Sequence, residues 1–387
     1  MNTPISKKNR IEQMDVIRGF ALFGVLLVNL TMIDATMYTY SSSFNDTSGV
    51  FNQISAWMIH IFASGKFYTL FSILFGLGFY FFMNKNDGTF VENKLFARRL
   101  IALFFFGLLH VVFVWYGDIL HVYAVTGAIL LANRNKSPEK LLKTGIILFL
   151  LSTAIFVLAS SMNGSQETFN PIVDEATIAY TQTSYLEMVV YRMTNEIPNL
   201  VLNLVFVIPK ILSLFLFGYY IGKREIFKNL DENQLLIHRV WIRSLIVSVL
   251  CIIGYTLYDS PLIDANMQFI SVLFDEVLTL SGALFYATTL IKIYKNDGGK
   301  RLLTPLRYSG QMALTNYLTQ TIFFTTLING YGFGLFGKIP QAGYFPIALS
   351  FYMLQCLFSV WWMNRYRFGP MEKVWRIFTY GQNRKAV

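Results

Sequence analysis

Residues 100–132 read LIALFFFGLLHVVFVWYGDILHVYAVTGAILLA, and the division of that block decides the fold. As one helix it would run ~50 Å at 1.5 Å per residue, well beyond the ~30 Å hydrocarbon layer of a bilayer. Gly117-Asp118, near its middle, is a turn pair. The block is therefore read as a hairpin of two membrane helices, 100–116 and 119–132.

Working outward, eight more apolar runs are long enough to span: 17–33, 67–83, 144–161, 200–222, 244–258, 267–291, 312–328 and 345–363. The expected fold is all-α, a polytopic membrane helical bundle of about ten transmembrane helices. Residues 54–65 read as interfacial or re-entrant. Composition agrees: of 387 residues 54% are hydrophobic and only 14% charged, against roughly 25% charged in a soluble domain. The two cysteines, Cys251 and Cys356, lie in apolar runs, which excludes a disulfide scaffold and a Cys-based metal site.

Charge supplies an independent check. Ten crossings put both termini and the segments 85–99, 134–143, 223–243 and 292–307 on one side, with 28 of the 32 Lys and Arg residues. Arg192 and Lys338 fall on the other side, with acids that include Asp34, Asp46, Glu167, Asp174, Glu187, Asp259 and Asp264. The positive-inside rule then gives N-in and C-in. The net charge of +10 is explained by topology, so nucleic acid is not needed as a partner. The first span carries Asp15 and Arg18 and lacks a small-residue cleavage pattern, so it reads as retained. Residues 1–161, an outer loop 162–199 and residues 200–387 form the three parts. The loop reads equally as a lid, a ligand surface or a connector.

Ionisable groups inside spans cost about 2.5–3.5 kcal/mol each on insertion scales and call for a reason. His110 lies ten residues beyond Leu100, which suggests a mid-membrane position. Asp118 and His121 are three apart and share a helix face, and a carboxylate fixes an imidazole tautomer for proton transfer. Asp15 and Arg18 are likewise i,i+3 neighbours. Lys210 after Pro209 pairs on this reading with Asp275 or Glu276, chiefly to stabilise the bundle. Gln311, Thr315, Asn316, Thr319 and Gln320 form a polar stripe, either bonding between helices or lining a tunnel. The sequence contains no phosphate-binding glycine loop and no metal or haem motif.

Four blocks together carry a resemblance. They are Asp15-Val-Ile-Arg18-Gly19 through Asn29; Gly65-Lys66-Phe67 through Gly76; Arg98-Arg99-Leu100 through His110 and Gly117-Asp118; and Ser309-Gly310 through Tyr317 with Gly369-Pro370, Glu372, Trp375 and Arg376. They resemble the YeiB-like family of bacterial multi-pass membrane proteins over nearly the whole chain. That family is distantly similar to heparan-alpha-glucosaminide N-acetyltransferase and other transmembrane acyltransferases. The resemblance implies residues 1–161 as an acyltransferase-like region and 200–387 as the family's C-terminal membrane domain.

It also implies a plasma-membrane acyltransferase moving an acyl group, most simply acetyl, from cytoplasmic acyl-CoA to an acceptor at the outer face. The expected partners are membrane lipid, the acyl-CoA donor and that acceptor. No cofactor is held tightly, no metal site is assigned, and a homodimer is compatible. The acyltransferases keep a catalytic histidine in the loop after the first span, where residues 34–55 here have none. The catalytic set then becomes His110, Asn29 and Asp118, with Arg18, Arg98 and Arg99 for coenzyme A phosphates. Asn316, Gln320 and His121 would meet substrate. The reading places His110, Asn29, Asn316 and Asp118 around one cavity. A transporter or flippase with a polar intramembrane pathway is the competing class, and a scaffold or sensor the third.

Overall fold

The computed structural model describes residues 11–39, 49–84, 90–162, 171–259, 267 and 269–381. Asp46, Glu167, Asp264, Lys7, Lys8, Arg10, Lys85, Arg384 and Lys385, which entered the charge argument, lie outside the described residues. The described chain is helical, with no strand: α1 (Glu12–Ile33), α2 (Val50–Phe62), α3 (Lys66–Met83), α4 (Phe90–Phe113), α5 (Leu120–Ala132), α6 (Pro138–Met162), α7 (Pro171–Thr181), α8 (Tyr185–Tyr191), α9 (Ile197–Lys223), α10 (Gln234–Tyr258), α11 (Phe269–Ile293), α12 (Asp297–Gln311), α13 (Ala313–Ile328), α14 (Tyr344–Arg365) and α15 (Pro370–Tyr380).

Eight helical stretches among the described residues are long and apolar enough to cross a membrane. They coincide with eight of the ten expected spans. The remaining two are the shorter α5 and α13, with 13 and 16 residues. The hairpin holds: α4 ends at Phe113, residues 114–119 turn, and α5 begins at Leu120. Leu150, Leu202, Val205, Leu250, Leu354 and Leu357 stand exposed on the exterior, as expected where lipid is the solvent.

Close helix crossings are made by glycine. Gly76 and Gly218 let α3 and α9 approach until an added Cβ on either would lie 1.9 Å from the other helix's carbonyl oxygen, at Phe215 and Ile73 respectively. Small residues at such points replace the hydrophobic drive that is missing between helices in lipid. Gly19 and Gly310 join α1 to α12 in the same way, against Leu306 and Asp15.

The segment 54–65 forms most of α2 and the break that joins it to α3, and residues 50–83 make one long apolar stretch. The start of α2 is tied to the loop before α14, through Ser55 Oγ to the Gln341 carbonyl at 2.9 Å and the Ala342 N–H to Asn52 at 3.0 Å. Its other end reaches the bundle interior: the Phe62 carbonyl accepts from Tyr286, and the Phe67 ring meets Gly24, halfway along α1. The outer loop 162–199 is in its described part a cap. Tyr180 on α7 stacks on Phe336, its carbonyl accepts from Gly330 N–H, and Arg192 donates to the Val112 carbonyl at 2.9 Å. The starts of α1 and α4 meet α15 around one cavity mouth, so the first and last described helices share an end, as an even number of crossings requires.

Candidate functional site

A cavity of about 640 Å³ lies between α1 on one side and α3, α4 and α5 on the other, with α15 as its floor. Both Met14 and Met32 line it, a height of ~27 Å along α1 at 1.5 Å per residue. Its walls are mostly aromatic and aliphatic, from Phe71, Phe75, Phe79 and Leu103 among others. Its mouth is charged. Arg18, Arg99 and Arg376 all line the lower part, and Asn29 lines the upper.

Each arginine is held by its neighbours. Arg18 bonds Asp15 at 3.0 Å, the i,i+3 pair expected, and reaches the Gly310 carbonyl. The Arg99 guanidinium lies 3.9 Å from the Trp375 ring centroid, and Trp375 Nε1 donates to the Arg99 carbonyl at 2.9 Å. Arg376 stacks on Phe368 at 4.1 Å. The floor helix is built by local sequence: Gly369 caps it, Pro370 suits its first turn, and Glu372 reaches across to α13. Glu372 accepts from the backbone N–H groups of Leu314 and Thr315 at 2.7 and 3.0 Å and from the Thr315 hydroxyl at 2.6 Å. A Cβ on Gly369 would fall 2.1 Å from that carboxylate. Burial pushes the Glu372 carboxyl up from its ordinary range, against the lowering effect of these bonds.

A second constellation sits behind the cavity wall. Asp118 bridges two imidazoles, with Oδ1 3.1 Å from His110 Nδ1 and Oδ2 2.8 Å from His121 Nδ1. The His121 N–H also donates to Asp118. His110 Nε2 is 2.9 Å from Thr321 Oγ1. The turn is tight because Gly107 has no side chain: a Cβ there would lie 2.3 Å from His121 N. Tyr317 separates this cluster from the cavity, which it lines. Its ring is 5.4 Å from that of His110, and its hydroxyl faces Asp118.

The structure therefore divides the expected site. Of His110, Asn29, Asn316 and Asp118, only Asn29 lines the cavity; His110, Asp118 and Asn316 are buried outside it. His110 also stands three residues from the outer end of α4, because that helix begins at Phe90 rather than near Leu100, so it is not at mid-membrane. Asn316 bonds Ser309 and Ser359, and Gln320 donates to Gln355 at 2.7 Å. Asn316 and Gln320 thus bind α12, α13 and α14 together, Thr315 joins α13 to Glu372 on α15, and Gln311 lines the cavity. Arg98 points away and donates to the Phe378 carbonyl at 3.0 Å. Arg376 takes its place at the mouth. Its position on the floor helix was not readable from the sequence, since α15 meets Arg99 through Trp375 across 276 positions. Lys210 pairs with Glu276 as expected, and Asp275 goes instead to Lys66. Among the described residues no group of three or more His, Cys, Asp or Glu side chains is arranged to hold a metal ion.

Residues 221–382 match a family described as a protein of unknown function, DUF418. The chain is 30% identical to the uncharacterized protein YxaH of Bacillus subtilis (strain 168), covering 97% of this chain and 96% of that one. It is 29% identical to an uncharacterized 39.9 kDa protein in the amylase 3' region of Bacillus acidopullulyticus, over 99% and 96% of the two chains. With the uncharacterized protein YeiB of Escherichia coli (strain K12) it shares 26% identity over 95% of each. No solved structure matches the chain.

Proposed function

We infer that this chain, which belongs to the YeiB-like family of multi-pass membrane proteins, is a transmembrane acyltransferase of the bacterial plasma membrane. It takes an acyl group from cytoplasmic acyl-CoA and passes it to a hydroxyl or amine presented from the outer side. The observation that carries this reading is the cavity. A tall apolar shaft whose mouth carries Arg18, Arg99 and Arg376 beside Asp15, Glu92 and Glu372 suits an amphiphile with a charged head, and acyl-CoA is one that the cytoplasm supplies. Guanidinium forks match phosphate geometry, and Arg18, Arg99 and Arg376 gather at one level. The pantetheine arm would extend upward beside Phe71 and Phe75 towards Asn29, eleven residues and ~16 Å above Arg18.

In the transfer, the acceptor oxygen or nitrogen attacks the thioester carbonyl, the C–S bond breaks, and the acceptor's proton ends on the coenzyme A thiolate. The Asn29 amide would donate to the developing oxyanion. His110 would be the base, with Asp118 holding its Nδ1 side. Tyr317 stands between them and the cavity with its hydroxyl facing Asp118, so the proton would pass from the acceptor to Tyr317 as Tyr317 gives its own to Asp118, and from Asp118 to His110 Nδ1. Calorimetry with acetyl-CoA tests the donor half. Arg18→Ala should weaken binding at least tenfold, while His110→Ala should leave binding near wild type and abolish transfer. Absence of acyl-CoA binding to well-folded protein would overturn the reading. It would favour the transporter class, whose support is the buried ion pairs of Lys66 with Asp275 and Lys210 with Glu276.

A further inference from the structure

Those ion pairs occupy the outer half of the bundle, apart from the arginine mouth. Lys66 is the first residue of α3 and only 1% exposed. Its ammonium donates to the His60 carbonyl at 3.2 Å and to Asp275 Oδ1 at 3.3 Å. His60 Nε2 lies 3.7 Å from that same carboxylate oxygen, and its ring stacks on Tyr255 at 4.8 Å. The next residue, Glu276, pairs with Lys210 and lies 3.5 Å from the Thr153 hydroxyl. Two lysines thus balance two carboxylates, and His60 is a fifth titratable group sharing an oxygen already in use.

A charge balance of this kind gives little net stability, because well-packed apolar side chains would serve as well or better. Ionisable groups at membrane depth mark a pathway or a binding site by default. The chemistry of the ligand follows from the occupant already present. The carbonyls that end α2 carry the negative end of its dipole, and with Asp275 they would attract a cation. The tethered Lys66 ammonium fills that place. What can still be added is a proton, and imidazole is the side chain that accepts one near neutrality.

The His60 and Asp275 side chains are 23% and 27% exposed overall, the His60 Nε2 atom itself is buried, and Lys66 is enclosed. Asp259, exposed at the outer end of α10 one turn beyond Tyr255, acts electrostatically on His60. The groups facing His60 are therefore Asp275 on α11, Lys66 on α3, and Tyr255 and Asp259 at the end of α10. Lys66 is further faced by Glu276 and Cys251. On the opposite side, Gly65 and Tyr68, which flank Lys66, line the large cavity.

We propose that His60, Lys66 and Asp275 form a proton-binding site in the outer half of the bundle, set against the cavity wall. A proton adds to the His60 imidazole, giving an imidazolium that competes with Lys66 for Asp275. The wall at Gly65 and Tyr68 is tied to that carboxylate through Lys66 and responds to the exchange. This inference stands whether the cavity holds an acyl donor or a transported solute.

The test is nitrogen-15 NMR of the full chain, labelled at histidine and held in lipid nanodiscs, with the His60 signal identified by its loss in His60→Gln. The signal should titrate between pH 5 and 8. Asp275→Asn removes the anion and should weaken proton binding at least tenfold, whereas Lys66→Met removes a like charge and should strengthen it at least tenfold. The His110 and His121 signals report that each variant is folded, and Asp275→Glu and Lys66→Gln replace a variant that is not. A His60 signal unchanged across that range, or a midpoint that neither class of variant moves, would overturn the proposal.

Discussion

Glu372 shows how one side chain can connect two ends of the molecule. Its carboxylate caps α13 from 57 residues away and fixes the floor helix beneath the cavity. Glu372→Ala leaves two N–H donors and a hydroxyl without that acceptor, at about 1–3 kcal/mol for a buried unsatisfied group. A lower melting temperature in detergent is expected, with Glu372→Gln in between; equal melting of all three proteins would refute the cap. Asp34, just past the outer end of α1, accepts from Gly337 N–H at 2.6 Å and the Tyr344 hydroxyl at 2.7 Å. Burial nevertheless raises its carboxyl to about 6. A folded pKa above the unfolded value means the native state binds the extra proton, so this group's contribution falls as pH rises from about 4 to about 6. Asp34→Asn should flatten the pH dependence of thermal stability over that window, and an unchanged profile would count against it. Tyr317→Phe addresses the relay. Acyl-CoA affinity should stay near wild type while turnover drops, and retained turnover would place the proton path elsewhere.

Among the elements, the α3–α9 crossing makes the sharpest claim. Gly76→Leu forces a side chain into a neighbouring backbone carbonyl, and overpacking of this kind costs about 1–3 kcal/mol or more. Gly78, two residues on, meets nothing within 4 Å, so Gly78→Ala should be neutral or slightly stabilising in the same melting assay. If both substitutions behaved alike, the close approach would be wrong. The crossing was invisible in sequence because a glycine in an apolar run looks the same whether it faces lipid or another helix. The hairpin was legible because Gly117-Asp118 interrupts an impossible length. The break between α2 and α3 was half legible: the polar pair Gly65-Lys66 marked an anomaly, but only the contacts to Gly24 and Tyr286 set its depth. The His110 cluster was legible as local spacing, since Asp118 and His121 are i,i+3 partners. The cavity was not, because α1, α4 and α15 come together only in three dimensions.

At the scale of the whole molecule, sidedness is the property on which every functional reading depends. A cytoplasmic mouth at Arg18, Arg99 and Arg376 and an outer proton site at His60 both require the same orientation. The positive-inside rule predicts it from the 28 basic residues expected on one side, and that expectation tolerates the shift of several helix ends because flanking charges, rather than exact boundaries, carry it. Independently, α7 and α8 cap the bundle end opposite the arginine mouth, through Tyr180 on Phe336 and Arg192 on the Val112 carbonyl. Both native cysteines are buried, so their replacement by serine gives a quiet background for labelling. In intact cells a membrane-impermeant maleimide should then modify Asp174→Cys, exposed on α7, and leave Lys140→Cys, exposed at the start of α6, untouched until the membrane is opened. Labelling of Lys140→Cys alone from outside would invert the molecule. The arginine mouth would then face away from the coenzyme A pool, and the acyl-transfer reading would fail without any assay of activity.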